Sequence, residues 1–264
     1  MTSPTSPATV AFMTGGSGGL GKSSGARSLA HALGLRRIRT CLVDGNPGQQ
    51  SQRTFLHIAP DRSLEHIRVA DDIRHTLAGP NETHAAFALL PGPATPTDRS
   101  VPGLYVDAIL ALRDMCDMVI VDADRIDAAQ WDDPRSFAGR VMRPMVEEGA
   151  RILFRIGRNA GQLDDGLAAL DAIRLPDRTL AIGAGSGAPR PERFWHDMLD
   201  GLAQWGGDDE WDDASRTMIA DGRPGWPMNR EPAWVGRAAA WLGADPALFD
   251  AETRRRGFRW PWTR

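Results

Sequence analysis

The sequence predicts a three-layer α/β fold: a mostly parallel β-sheet flanked by helices, followed by a C-terminal extension. Three observations lead there. Short apolar runs alternate with stretches of helical period from Thr9 to Ile182, the pattern of βαβ units whose strands are covered on both faces. The first apolar run opens directly into a glycine-rich loop and then a helical pattern. Two further runs end in aspartate, Asp44 and Asp122, at the strand edge where ligands bind in such sheets.

In order, Thr9–Thr14 (TVAFMT) reads as a strand, and Lys22 to about Leu35 as a helix with Leu29, Ala30, Leu33 and Leu35 near helical spacing. Arg39–Asp44 (RTCLVD) is a second strand, followed by GNPGQQSQ as a loop or very short helix. Leu64–Leu77 is polar-amphipathic and predicts a surface helix; Ala85–Leu90 predicts a strand stopped by PGPATP. Val106–Met115 is helical by period, and Met118–Asp122 (MVIVD) is a fully buried strand. Ser136–Glu148 and Leu163–Ile173 predict helices, with strands at Arg151–Ile156 and Thr179–Ile182. Strand order does not follow from this pattern. After about Gly206 the texture becomes acidic and tryptophan-bearing, with a helix near Ala233–Leu242. Residues 208–264 are too few to bury much alone, so they predict an extension packed on a core of residues 1–207.

Composition narrows the function. The 264 residues, 42% hydrophobic, suffice for one large domain with a modest appendage. A net charge of −3 argues against a chain-wide nucleic-acid surface, so any anion site is local. No apolar run approaches the ~20 residues that span a bilayer. The start MTSPTSP reads as a short disordered leader without the basic and apolar segments of a secretory signal, which predicts a cytoplasmic location. Cys41 and Cys116 lie in or beside apolar strand-like segments with no C-x-x-C partner, and predict buried structural thiols. The histidines show no metal-ligand spacing.

Lys22 is the only lysine in the chain; every other long basic side chain is arginine. It lies in Gly16–Ser23, which spells G-x-x-x-x-G-K-S, a phosphate-cradling P-loop in the strand–loop–helix context that motif requires. Backbone N–H groups of Gly16, Ser17, Gly18, Gly19, Leu20 and Gly21, with Lys22, Ser23 and Ser24 opening the helix, would form an anion nest. A slim ammonium enters between phosphates where a planar guanidinium is too broad. Lys22 would neutralise the β- and γ-phosphates, and Ser23 would offer its hydroxyl to Mg²⁺. Asp122 would hold the metal, through a water, and Asp44 would orient a water towards the γ-phosphate or touch the metal shell. Lys22 and Asp44 are therefore the candidate catalytic residues.

With these residues in view, the chain resembles the ParA/MinD group of P-loop ATPases, from about Thr9 to Ala184. The resemblance rests on SGGLGKS (Ser17–Ser23), DGNPGQ (Asp44–Gln49, with Asn46 where the group has a second aspartate), FALLPGP, and CDMVIVDAD (Cys116–Asp124). It implies ATP and Mg²⁺ as cofactors, an ATP-dependent homodimer, and a nucleotide switch that positions or partitions a plasmid, a chromosome or a membrane-associated machine. One departure matters. The group's first loop lysine reaches across the dimer to the partner's phosphates, and Ser17 holds that position here. Either an arginine such as Arg53 compensates, or the chain binds ATP, hydrolyses it slowly or not at all, and acts as a scaffold in a secretion, pilus or conjugation system. A P-loop enzyme acting on a small molecule would need an acceptor pocket, for which the sequence carries no signature.

The last residues interleave Arg254, Arg255, Arg256, Arg259 and Arg264 with Phe258, Trp260 and Trp262. Basic and aromatic side chains together suit DNA or an anionic membrane, and equally suit tryptophans packed back on the domain. The resemblance adds a cargo or adaptor protein as partner, and nucleoid or membrane association.

Overall fold

In the structure, a computed structural model describing residues 7–67, 72–95, 100–210 and 212–250, the period-two alternation of the strands divides the core in two. The first strand, β1 (Thr9–Gly15), sends Val10 and Phe12 into one hydrophobic cluster and Ala11 and Met13 into the other. β4 (Met118–Ala123) repeats the division, with Val119 and Val121 opposite Met118 and Ile120.

In chain order, β1 leads through the glycine loop to α1 (Lys22–Leu35), β2 (Thr40–Gly45) and α2 (Ser51–Phe55). Then come α3 (Asp72–Thr76), α4 (Pro80–Thr83), β3 (Ala88–Leu90), α5 (Val101–Arg113), β4 and α6 (Ala128–Asp132). A π turn (Ala138–Met142) runs into α7 (Arg143–Glu147), followed by β5 (Arg151–Gly157), α8 (Ala160–Ile173) and β6 (Thr179–Ala184). The described chain closes with α9 (Glu192–Leu199), β7 (Gln204–Asp208), α10 (Asp213–Ala220) and α11 (Ala233–Trp241).

The strands form one seven-stranded sheet in the order β3-β2-β4-β1-β5-β6-β7, with every named pair parallel. One face is covered by Tyr105, Ile109, Val146, Leu170 and Trp195 from α5, α7, α8 and α9. The other is covered by Leu29 and Leu33 of α1 and by Trp234, Val235 and Ala238 of α11. Each large apolar side chain buried in this way contributes about 1.5–3 kcal/mol. Asp44 and Asp122 are sheet partners in register, and the alternation aims both towards the α1 face at the carboxyl ends of their strands.

Three elements depart from expectation. Leu64–Leu77 is a 3₁₀ turn (Leu64–His66) and the short α3, with Leu64 and Ile73 buried in place of a surface helix. Ala78 pairs antiparallel with Leu89, and Arg62 donates to the carbonyls of His75 and Leu77 at 2.8 and 2.6 Å, which ends the helix there. The strand expected over Ala85–Leu90 begins only at Ala88, because the N–H groups of Ala85 and Ala86 are taken by Thr83 Oγ1 and His31 Nδ1. The helix expected over Ser136–Glu148 carries the π turn before Pro144, which has no N–H to return to Arg140. Both cysteines are free thiols, Cys41 buried and Cys116 only half-buried. The expected leader and the basic aromatic tail, Arg254–Arg264, fall outside the described residues, except for Pro7.

Candidate functional site

The glycine loop leaves β1 with its backbone flush against α8. A Cβ on Gly16 would lie 2.7 Å from the Asp165 carbonyl oxygen and 2.8 Å from Gly166 Cα, so only glycine fits. Gly19 and Gly21 take φ of 71° and 69°, the left-handed turn that closes the loop onto the first turn of α1. Ser17 Oγ donates to Asp165 Oδ2 at 2.6 Å, and Gln162 Nε2 donates to the Gly18 carbonyl at 3.2 Å. Lys22 Nζ curls back to the Ser17 carbonyl at 3.0 Å. Burial lowers its pKa, while the Asp124 and Asp122 carboxylates oppose that shift.

Beside this loop stand two buried carboxylates. Asp122 Oδ2 accepts from Gln52 Nε2 at 2.7 Å and from the Ser51 hydroxyl at 3.2 Å, and Ser51 Oγ lies within hydrogen-bond reach of the Ser23 hydroxyl at 2.9 Å. Ser23 and Asp122 are thus joined through the start of α2. Asp44 Oδ2 accepts from the Arg53 N–H at 3.1 Å. Burial pushes the Asp44 carboxyl up to about 7, with the Asp122 charge as the next cause. Burial raises Asp122 as well. Asp44 Oδ1 and Asp122 Oδ1 are both buried without a hydrogen-bond partner. An orphaned buried carboxylate oxygen is costly, and a hard cation would satisfy it. Among the described residues no group of three or more His, Cys, Asp and Glu side chains could hold a metal alone. A cation here would therefore need further oxygens from water or a phosphate, which is the habit of Mg²⁺.

No protein-family model and no curated protein matches the sequence. Solved structures do match. A chain of the MinC:MinD cell division protein complex from Aquifex aeolicus superposes with a TM-score of 0.63 at 16% identity, covering 90% of this chain and 97% of that one. A ParA family ATPase from Chlorobium tepidum gives 0.63 at 16% identity, over 89% and 98% of the two chains. The septum site-determining protein MinD of Pyrococcus horikoshii, solved with Mg-ADP, gives 0.63 at 16% identity over 89% and 94%. The chain has the MinD/ParA fold.

Within this MinD/ParA fold the structure brings Gly16–Ser24, Asp122 and Asp44 to one end of the sheet, as the sequence predicts. Asp122 is the nearer carboxylate, because β4 lies directly beside β1 and β2 lies one strand further out. Arg53, the expected compensating cation, is committed elsewhere: its guanidinium donates to the Arg62 and Gly92 carbonyls. Ser51, Gln52, Gln162 and Asp165 were missed. Ser51 and Gln52 lie just past the DGNPGQ segment and could have been suspected from polarity alone. Gln162 and Asp165 are brought to the loop by tertiary packing and leave no sequence signal. On the β5–β6 side a cavity of about 740 Å³ adjoins the loop, lined among others by Leu20, Arg158, Gly185, Ser186 and Asp209.

Proposed function

We propose that the chain binds ATP with Mg²⁺ and serves as a nucleotide-dependent dimeric switch that positions a cargo, either a plasmid or chromosome or a membrane-associated machine. The observation that carries this reading is the meeting of a lysine-bearing glycine loop with two buried carboxylates that each lack a partner for one oxygen. In this reading the amides of Gly16–Gly21 and the start of α1 receive the phosphates, and Lys22 leaves the Ser17 carbonyl to pair with them. Ser23 and Asp122, already linked through Ser51, supply oxygens on the metal side, and Asp44 orients water or stabilises the metal shell. The cavity lined by Leu20 and Ser186 offers room for the nucleoside. Mg²⁺ would supply Lewis-acid neutralisation of the phosphate oxygens. Residues 208–264 act as an extension of the nucleotide-binding unit, and the arginines and tryptophans from Arg254 to Trp262 meet DNA or an anionic membrane. The protein works in the cytoplasm, at the nucleoid or at the membrane surface. Among the described residues no helix is long and apolar enough to cross a membrane.

Titration calorimetry on Lys22→Ala tests the reading. Losing a charge-assisted contact worth about 1.5–3 kcal/mol should weaken ATP binding by roughly 10- to 100-fold, and an unchanged dissociation constant would refute it.

A second reading is favoured by one observation: Ser17 is tied to Asp165, so no cation projects from that position. The chain would then be a weak or non-hydrolysing ATP-binding scaffold. ATP-driven dimerisation without turnover selects this reading over the first.

A further inference from the structure

Charge is unevenly distributed around the glycine loop. Ser17 brings no cation and its hydroxyl is held by Asp165, while Asp44, Asp122 and Asp124 put carboxylates on the strand-end side. Lys22 is left to face a magnesium–triphosphate complex that is itself a net anion.

The buried arginines around the loop each have partners already, although Arg27 Nε, Arg53 Nε and Arg155 Nη1 are without one. Arg27 donates to Gln52 Oε1 at 2.9 Å and lies over the Phe55 ring. Arg53 serves two carbonyls. Arg155 donates to the Leu20 carbonyl at 3.2 Å and pairs with Asp209. Arg158 pairs with Asp208 at 2.8 Å and donates to three carbonyls.

Arg125 differs from all of these. It is exposed, and its guanidinium has no hydrogen-bond or ion-pair partner among the described residues. Its main chain is nevertheless fixed to the end of β1. Thr14 Oγ1 donates to the Asp124 carbonyl, and the Ile126 N–H donates to the Gly15 carbonyl at 3.0 Å. These two bonds bracket Arg125 and fasten it beside the end of β1, where the glycine loop begins. Asp124 makes no side-chain bridge to it; Asp124 Oδ1 accepts the backbone N–H of Arg125 at 2.7 Å. The Arg125 charge also acts on Lys22, depressing its pKa alongside burial and Arg155, so the two cations share one neighbourhood. Arg125 follows Asp122 by three positions on the same strand exit, which puts it at the metal end of the site. A guanidinium fork is well matched to phosphate oxygens in the open.

We propose that Arg125 contacts the terminal phosphate of the bound nucleoside triphosphate, supplying from within the same chain the second cation that Ser17 does not provide. The assignment rests on the nucleotide-binding reading above and gives the site a means of telling a triphosphate from a diphosphate.

The test is calorimetric titration of the full chain, its Arg125→Ala variant and its Arg125→Lys variant with Mg-ATP and with Mg-ADP, with thermal melts confirming that this exposed substitution leaves the fold intact. Arg125→Ala should weaken ATP binding about tenfold or more while leaving ADP binding within about twofold, and Arg125→Lys should recover part of the loss. An ATP-to-ADP affinity ratio equal to that of the unaltered chain overturns the assignment alone. Equal loss of both nucleotides also overturns it, since a contact to the terminal phosphate cannot act on a diphosphate. An unaltered chain that binds neither nucleotide overturns the nucleotide-binding reading, and this assignment with it.

Discussion

The loop after β1 and the loop after β2 leave the same end of the sheet one strand apart, yet they are held in opposite ways. The first is braced from outside: Gly16 lies flush on α8, Ser17 is bonded to Asp165, and Gln162 holds the Gly18 carbonyl. The second is braced by side chains, both within its own segment and to neighbouring segments, Gln52 donating to the Ser23 carbonyl at 2.9 Å and Gln50 to the Pro93 carbonyl. Asp44 Oδ2 receives the Arg53 N–H, Asn46 Oδ1 receives the Gln49 N–H at 3.1 Å, and Gln52 reaches Asp122. One loop is preorganised chiefly by the fit of its backbone on α8, with the Asp165 bond added to it. The other depends on two carboxylates that crowd each other, so a proton or a cation can reset it. That is the arrangement expected of a fixed phosphate cradle beside a segment that senses what the cradle holds.

The largest effect on nucleotide binding should come from breaking the outside brace. Gly16→Val drives its side chain into the Asp165 and Gly166 backbone, which cannot yield as a flexible side chain would. Overpacking of this kind costs about 1–3 kcal/mol, and it should abolish ATP binding by pushing the loop away from α8. Gly18→Ala is the matched control, because a Cβ there meets nothing within 4 Å. Chemical denaturation of the two variants should show a lowered midpoint for Gly16→Val only. Equal stability for both would mean that α8 is not the brace.

The second effect concerns the loop that depends on charge, and its sign follows from Asp44. Its carboxyl rises from an ordinary 3.8 to about 7 in the folded chain, so folding favours the protonated form. The stability this contributes is fully present below pH ~4 and is lost as pH climbs through about 7. Over that window the folded state should lose up to about 4 kcal/mol relative to a chain with a neutral group at this position. Asp44→Asn, nearly isosteric and uncharged, should remove most of that slope. Asp122, also raised by burial, should leave a remainder of the same sign. Denaturant midpoints at pH 5 and pH 8 measure the difference, and parallel curves for the two chains would contradict it. Adding Mg²⁺ at pH 8 should restore stability to the unaltered chain more than to Asp44→Asn.

The two loops also differ in how far they could be read from sequence. The glycine loop was legible because its requirements are local: a strand, glycines where the backbone turns left-handed, a lysine and a helix start. The strand-end aspartates were legible because a fully apolar run ending in a carboxylate is a local pattern too. What holds those groups was not. Gln52 bridging to Asp122 exists only because the sheet order sets β2 beside β4, and Asp165 reaches Ser17 from 148 residues away only because it sets β1 beside β5. The same limit explains Leu64–Leu77, whose helical period is real but whose end is decided by Ala78 pairing with Leu89. It also explains Arg53, whose guanidinium is engaged by carbonyls that only the fold brings near.

The smallest effect separates the two components of the outside brace. Asp165→Ala frees the Ser17 hydroxyl but leaves Gly16 flush on the α8 backbone and Gln162 on Gly18. A hydrogen bond at a partly exposed carboxylate is worth about 1 kcal/mol, so the melting midpoint should fall by only a few degrees for a chain of this size. If the cradle is set by backbone fit, ATP affinity should change less than about fivefold, and it should change upwards, because a carboxylate beside the phosphates is removed. Calorimetry on this variant checks both size and sign. A large fall in affinity would mean that the Ser17–Asp165 bond shapes the loop, and the contrast between a cradle fixed by backbone and a neighbour set by charge would no longer hold.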